Sequence, residues 1–118
     1  MASLRTAEGL AKHEEYKKTI SAGDGCALCA KPAIKSFKYW KITDNTFPYD
    51  LIAKEHHMLI PLRHVREDDL NDLELKEMAE IKEKFIHPDY DYIIEATHHE
   101  KSIPDHFHLH LIVGNIVQ

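Results

Sequence analysis

Three histidines alternate with apolar residues near the end of the sequence, as His-Phe-His-Leu-His at positions 106–110. Successive side chains of a β-strand point to opposite faces of the sheet. The alternation therefore predicts a strand over residues 106–113, with the three imidazoles on one face and the apolar side chains anchored in the core. A strand held in this way positions chemical groups rigidly, so we expect the functional site here.

Two other interpretations of these histidines stay open at the level of sequence. They could be polar residues on the solvent-exposed face of an amphipathic strand, where serine, threonine, lysine or glutamate would serve equally well; three histidines in succession disfavour this coincidence. Alternatively, all three could bind one metal ion, as alternate histidines of a strand can. The protein would then be a metal-dependent hydrolase that activates water.

The composition restricts both the size of the fold and the class of ligand. With 118 residues, of which 43% are hydrophobic, the chain can bury one core, and we predict a single domain over residues 1–118. The formal net charge of −5 does not provide the broad basic surface of a nucleic-acid-binding protein, so a small charged ligand is the predicted partner.

Nothing in the sequence indicates a membrane segment. No stretch approaches the roughly 20 apolar residues that cross a bilayer, and acids and bases interrupt the first residues where a signal peptide would have its apolar run. We therefore expect a cytoplasmic protein without membrane contact.

Two segments have the periodicity of amphipathic helices. Leu4, Ala7, Leu10 and Ile20 recur at roughly helical intervals, which predicts a helix in the N-terminal segment 1–22. Residues 72–85 repeat apolar side chains along one face, and the preceding Asn-x-x-Glu has the spacing of a capping box. The remaining motifs lie in a predicted core over residues 26–113.

Further strands are expected between these helices and after them. Residues 37–42 are rich in aromatic side chains, and 90–96 contain an apolar run, so both are strand candidates. Residues 50–53 and 57–60 are predicted to form two strands of a hairpin that turns at 54–56.

The chain has only two cysteines, Cys26 and Cys29, in a Cys-x-x-Cys arrangement. This spacing is shared by redox dithiols and by half of a zinc site, and two ordinary buried cysteines are a third alternative. No βαβ pattern of the thioredoxin type surrounds the pair. A closed tetrahedral zinc site would need two further ligands from elsewhere.

Three segments together resemble the histidine triad family. Residues 106–112 match its His-φ-His-φ-His-φ-φ signature, residues 45–49 (Asn-Thr-Phe-Pro-Tyr) resemble its Asn-x-Phe-Pro segment, and residues 57–64 resemble its strand and turn ending in Pro-x-x-His. The match covers nearly all of residues 26–112. It implies an α+β fold with about five antiparallel strands and two helices, and pairing of two copies into a homodimer as in many relatives.

The resemblance also implies roles for the motif residues. The middle histidine of the family is the nucleophile, which corresponds to His108, and its ring donates to the carbonyl of the first histidine. His110 would then contact phosphate oxygens or the leaving group. Asn45, Phe47 and Pro48 correspond to the segment that lies against the nucleoside.

Two positions depart from the family pattern around the phosphate. Relatives carry a serine or threonine shortly before the triad, and Ser102 is displaced from that position by about one residue. Glu95 stands where an asparagine is expected, and a carboxylate facing a phosphate is unfavourable.

Zinc-containing histidine triad proteins, and the related galactose-1-phosphate uridylyltransferases, complete their Cys-x-x-Cys site with the Pro-x-x-His histidine and the first triad histidine. The resemblance therefore implies a structural zinc ion bound by Cys26, Cys29, His64 and His106. The alternative is a metal-free fold with a reduced dithiol.

The function expected from these features is a nucleotidyl hydrolase or transferase acting on a dinucleoside polyphosphate or a nucleoside phosphoramidate. A nucleotide-binding module with little turnover is the alternative, favoured by Glu95 and the displaced Ser102. The pairs His56-His57 and His98-His99 lack triad spacing, so we expect solvated or loop-capping roles for them, and His13 gives no signal.

Overall fold

An antiparallel sheet organises the computed structural model, which describes residues 3–20, 25–97 and 103–115. Within these ranges, five strands pair in the order β1-β2-β3-β5-β4. They are β1 (Lys35–Ser36), β2 (Trp40–Asp44), β3 (Ala53–Pro61), β4 (Tyr92–Ile94) and β5 (Leu109–Gly114). This order places β5 between β3 and β4, so His110, the last of the three alternating histidines, lies inside the sheet rather than at an edge.

Three α-helices accompany the sheet in the described ranges: α1 (Ala7–Lys17), α2 (Ala27–Ala30) and α3 (Asp72–Ile81), which continues as a π-helical turn over Lys82–Ile86. The predicted α+β fold with about five antiparallel strands is thereby confirmed. The first and third helices correspond to the two predicted ones. The second is a single turn, which is too short for apolar periodicity to reveal.

The start of α3 follows from local sequence. The Asn71 side chain accepts from the Glu74 backbone at 2.9 Å, and the Glu74 carboxylate accepts from the Asn71 backbone at 2.9 Å. The same carboxylate pairs with Arg63 at 2.6 Å, which ties the helix to the turn after β3. Because the Glu74 side chain is buried, these partners offset its desolvation.

The main core lies on the face of the sheet that α3 covers. Phe107, Leu109 and Leu111 alternate toward it and pack with other buried apolar residues, among them Trp40 and Leu59. Burial of one such side chain stabilises the fold by about 1.5–3 kcal/mol. The predicted alternation of the segment is therefore confirmed on its apolar face.

The opposite face of the sheet, on which the histidines lie, is also covered by other residues. This excludes the interpretation that the histidines lie on a solvent-exposed face. A second cluster of Leu28, Met58 and Ile60 packs there, and His106, His108 and His110 are 0%, 6% and 5% exposed. Serine or lysine could not take the place of three imidazoles that are buried to this degree. The interpretation as a polar surface face is therefore wrong.

Three predicted strand boundaries need correction. Residues 53–61 form one continuous strand with a register shift between Ala53 and Glu55, so the predicted hairpin at 54–56 is absent; no glycine or asparagine turn is available there. The predicted strand over 37–42 instead contains the β1–β2 turn, closed by a hydrogen bond from the Phe37 amide to the Trp40 carbonyl at 2.8 Å. The ladder of β5 begins at Leu109, after the first two histidines.

Within the described ranges, every helix is too short or too polar to cross a membrane. The single domain over 1–118, and its division into segments 1–22 and 26–113, stay predictions.

Candidate metal and nucleotide site

Two cysteines and two histidines converge at one end of the sheet. The ligand atoms of Cys26, Cys29, His64 and His106 all lie within 4.8 Å of one another. The Nδ1 atom of His106 is 3.5 Å from Cys26 Sγ and 3.4 Å from Cys29 Sγ, and His64 Nδ1 is 3.3 Å from Cys29 Sγ. Tetrahedral zinc, with bonds of about 2.3 Å to sulfur and 2.0 Å to nitrogen, separates such atoms by about 3.6 Å. The four residues therefore fit this ion.

The surrounding backbone orients these ligands. His106 Nε2 donates to the Pro61 carbonyl at 2.9 Å, which leaves the Nδ1 lone pair directed at the thiols. The buried Lys41 donates to the carbonyls of Cys29 and Lys31 at 3.3 and 2.7 Å and holds the Cys-x-x-Cys turn in place. Desolvation, and then contact with the Cys26 thiol, raises the pKa of Cys29; a bound divalent cation would favour both thiolates.

His108 is oriented by the residue that starts the triad. Its Nδ1 lies 2.9 Å from the His106 carbonyl, an acceptor only, so Nδ1 carries the proton of the neutral ring. The lone pair is then on Nε2, and His108 lines the cavity described below. A neutral imidazole held in this tautomer can act as a nucleophile.

The tautomer of His110 is set by a chain of hydrogen bonds. The Tyr49 amide donates to His56 Nδ1 at 2.9 Å, so the neutral His56 ring donates from Nε2 to His110 Nδ1 at 2.8 Å. Burial, followed by the charge of Arg5, lowers the pKa of His56 to about 3, which keeps this ring neutral. His110 therefore carries its proton on Nε2, 3.2 Å from the Tyr49 hydroxyl.

The expectation that His56 is solvated or caps a loop is wrong, because His56 is only 3% exposed. Its alternation with Met58 and Ile60 places it on the same face of the sheet as His110 of the neighbouring strand. That alternation was visible in the sequence, but the expected turn at 54–56 hid it.

A cavity of about 220 Å³ opens beside His108 and His110. Its wall includes the cationic side chains of Arg5 and Lys31, and no aspartate or glutamate of the described ranges lines it. Glu95 is exposed and is not part of this wall. In a chain of net charge −5, a cavity with this lining suits an anionic ligand.

Known proteins resemble this chain in structure rather than in sequence. No family model matches the chain, and no curated protein matches it. A histidine triad protein from Clostridium difficile superposes with a TM-score of 0.55 at 16% identity, covering 84% of this chain and 97% of that one. The chain has the histidine triad fold. A HIT family hydrolase from Legionella pneumophila Philadelphia 1 gives a TM-score of 0.55 at 18% identity, covering 80% and 96%.

Within the histidine triad fold, the predicted nucleoside-binding residues separate into three groups. Asn45 and Phe47 line the cavity; the Asn45 side-chain oxygen also accepts from the Phe47 amide at 3.0 Å. Pro48 is half-buried in the adjoining turn and is not part of the wall. Ser102 lies outside the described residues, as do His98 and His99.

The geometry also opposes a single metal bound by all three triad histidines. His106 Nδ1 faces the cysteines, His108 Nδ1 faces a carbonyl, and His110 Nδ1 faces His56. In the described part of the chain, the cluster of metal-ligating residues contains His106 alone of the three.

Helix α1 adds residues to the site that sequence motifs did not indicate. His13 and Tyr16 pack their rings against Phe47 at 5.3 and 4.8 Å, and both line the cavity. Burial, and then the charge of Arg5, lowers the pKa of His13 to about 4, so this ring is a neutral part of an aromatic wall. No family motif covers this helix, which is why it gave no signal.

Proposed function

We propose that this chain is a nucleotidyl hydrolase or transferase that forms a covalent intermediate on His108. The observation that carries the proposal is the buried His108 ring, whose Nδ1 is held by the His106 carbonyl at 2.9 Å while the side chain lines a cavity without described carboxylates. The names of the two structural relatives, a histidine triad protein and a HIT family hydrolase, support the same class of reaction.

In the first step, His108 Nε2 attacks the α-phosphorus of a nucleotide conjugate. A phosphorus–nitrogen bond forms, and the bond from phosphorus to the leaving group breaks with its electron pair. The ring becomes cationic because Nδ1 keeps its proton, and the hydrogen bond to the His106 carbonyl stabilises that charge. The leaving group takes up a proton from solvent.

His110 serves this step as a hydrogen-bond donor. Its Nε2 proton, set by the chain from Tyr49 through His56, would turn from the Tyr49 hydroxyl to the phosphate oxygens or the leaving group when substrate binds, because negative charge accumulates there. Arg5 and Lys31 add positive charge to the same cavity wall. Dinucleoside polyphosphates and nucleoside phosphoramidates are the substrate classes that we propose.

In the second step, water attacks the phosphorus of the intermediate. The phosphorus–nitrogen bond breaks with its electron pair returning to Nε2, which restores the neutral ring of His108. A nucleoside monophosphate leaves, and the water proton is released to solvent. A different acceptor in place of water gives nucleotidyl transfer.

Zinc is proposed as a structural ion held by Cys26, Cys29, His64 and His106. When bound, it would supply a crosslink between the Cys-x-x-Cys turn and the start of the triad. Zinc would then fix His106, whose backbone carbonyl orients the nucleophile His108.

The test is the intact mass of the protein after brief incubation with adenosine 5′-phosphoramidate or with diadenosine tetraphosphate. The reaction is stopped in denaturant at alkaline pH, because phosphoramidate bonds hydrolyse in acid. We expect a nucleotidyl adduct on the native protein and none on His108→Ala. His87→Ala, which changes an exposed histidine, is the matched control and should retain the adduct.

An adduct that persists in His108→Ala would contradict the assignment of the nucleophile. If the native protein binds nucleotide without adduct or turnover, the chain is instead a nucleotide-binding module of the same fold.

A further inference from the structure

Arg5 precedes α1 and reaches into the cavity from a segment that no motif covers. Its Nε donates to the Phe47 carbonyl at 3.0 Å, and its guanidinium lies over the Tyr49 ring at 4.9 Å. The residue is half-buried and lines the cavity. The same cavity is lined by His108 and His110.

No carboxylate in the described ranges forms an ion pair with Arg5. Asp50 is the nearest candidate by charge, but its two oxygens accept from the amide and the hydroxyl of Thr6 at 2.7 and 2.8 Å. Asp50 and Glu14 act on Arg5 only as more distant charges, and burial lowers the pKa of the guanidinium. A half-buried cation with this environment is suited to an anionic ligand.

One aromatic ring, that of Tyr49, contacts both Arg5 and His110. The Tyr49 ring lies 4.9 Å from the guanidinium and 4.8 Å from the His110 ring. His110 is the proposed donor to the phosphate under attack, and one ring separates it from Arg5, so a short polyphosphate chain that extends from that phosphate can reach the guanidinium.

We propose that Arg5 binds phosphate groups beyond the attacked one and thereby selects nucleotide conjugates with several phosphates over those with a single phosphate. The planar guanidinium can hold two phosphate oxygens at once. This inference rests on the proposed function, and it names the substrate class of that site.

The experiment compares kcat/KM for diadenosine tetraphosphate and adenosine 5′-phosphoramidate in the native protein and in Arg5→Gln. We expect the ratio of the two values to shift about tenfold against the tetraphosphate, as for the loss of a charge-assisted hydrogen bond. Arg5→Lys, which keeps the charge, should restore part of the ratio.

A control variant separates recognition by Arg5 from the general charge of α1. Lys12→Gln removes an exposed cation of α1 whose partner is Glu8, and it should keep the native ratio. If Arg5→Gln lowers both substrates by the same factor, as a loosened segment would, the proposal is overturned.

A binding measurement keeps the inference testable if the protein shows no turnover. We expect ATP to bind the native protein more tightly than AMP by calorimetry, and this preference to fall about tenfold in Arg5→Gln. An unchanged preference would overturn the role of Arg5. Loss of the adduct with a retained, Arg5-dependent preference would instead refute only the catalytic proposal.

Discussion

At the scale of single residues, protonation in the site is decided by partners rather than by the histidines themselves. The carbonyl of His106 selects the tautomer of His108, and His56 selects that of His110. His56 can do so because a backbone amide occupies its Nδ1 and burial keeps it neutral, with a pKa of about 3. These contacts thereby fix which nitrogen of the His108 ring and which of the His110 ring carries the proton.

Replacing His56 with phenylalanine should slow catalysis without removing the nucleophile. An aromatic ring is kept, but His110 loses the donor that fixes its tautomer. We expect kcat/KM for adenosine 5′-phosphoramidate to fall about tenfold to hundredfold, part of the 10²–10⁴-fold that positioned acid–base groups contribute. Steady-state kinetics and a thermal melt of each variant provide the measurement.

His57→Phe is the matched control. His57 is next to His56 in β3, but its side chain contacts Tyr90 at 2.6 Å on the other face of the strand. Its effect on kcat/KM should be small. Equal losses in both variants would mean that the strand, and not the hydrogen bond to His110, is responsible.

At the scale of elements, α1 is attached to the site by a few polar contacts rather than by a large apolar face. Asp50 accepts two hydrogen bonds from Thr6, whose hydroxyl also caps the helix by accepting from the Gly9 amide at 3.1 Å. A side chain at Gly9 would meet the Asp50 carboxylate at 2.5 Å, so the approach is close. Through its hydrogen bonds to Thr6, Asp50 links the helix to the loop that carries Phe47 and Tyr49.

Asp50→Ala should release α1 while the sheet stays folded. Loss of both acceptors exposes the helix start, so we expect amide hydrogens in residues 7–17 to exchange at least about tenfold faster, as locally opened segments do. Hydrogen exchange followed by mass spectrometry measures this. Asp44→Ala, at the exposed end of β2, should leave the exchange of α1 unchanged; faster exchange throughout the sheet would show that Asp50 supports the whole fold instead.

At the scale of the whole molecule, the sheet order brings together residues from three distant parts of the sequence. Cys26 and Cys29 come from the segment before β1, His64 from the turn after β3, and His106 from the approach to β5. Because β3 and β5 are hydrogen-bonded neighbours, their ends place both histidines beside the thiols. A bound ion would connect all three segments.

Purified protein should contain about one zinc ion per chain, and chelation should lower the Tm by at least about 10 °C, since one lost kcal/mol shifts the Tm of a domain near this size by several degrees. Cys29→Ser should lose the metal, and His108→Ala should retain it. Elemental analysis and thermal melts provide the measurements. Loss of zinc from His108→Ala would indicate that the triad histidines bind the ion after all.

Local sequence by itself determined the features whose physical cause is local. Strict alternation at 106–110 specified which side chains enter the core and which face the site, because the pleat of a strand has a period of two. The Asn71 capping box specified the start of α3 for the same reason, since its hydrogen bonds span three residues. The resemblance implied the four-residue metal cluster, and the structure brings those residues together.

Only the tertiary structure decided which histidines are partners and which residues complete the cavity. His56 faces His110 because β3 runs unbroken beside β5, and that pairing depends on residues 54 positions apart. Arg5, His13 and Tyr16 reach the cavity because Asp50 holds their segment, a contact between residues 44 apart. Such contacts depend on the relative placement of whole elements, and the periodicity of one segment carries no information about its neighbours in space.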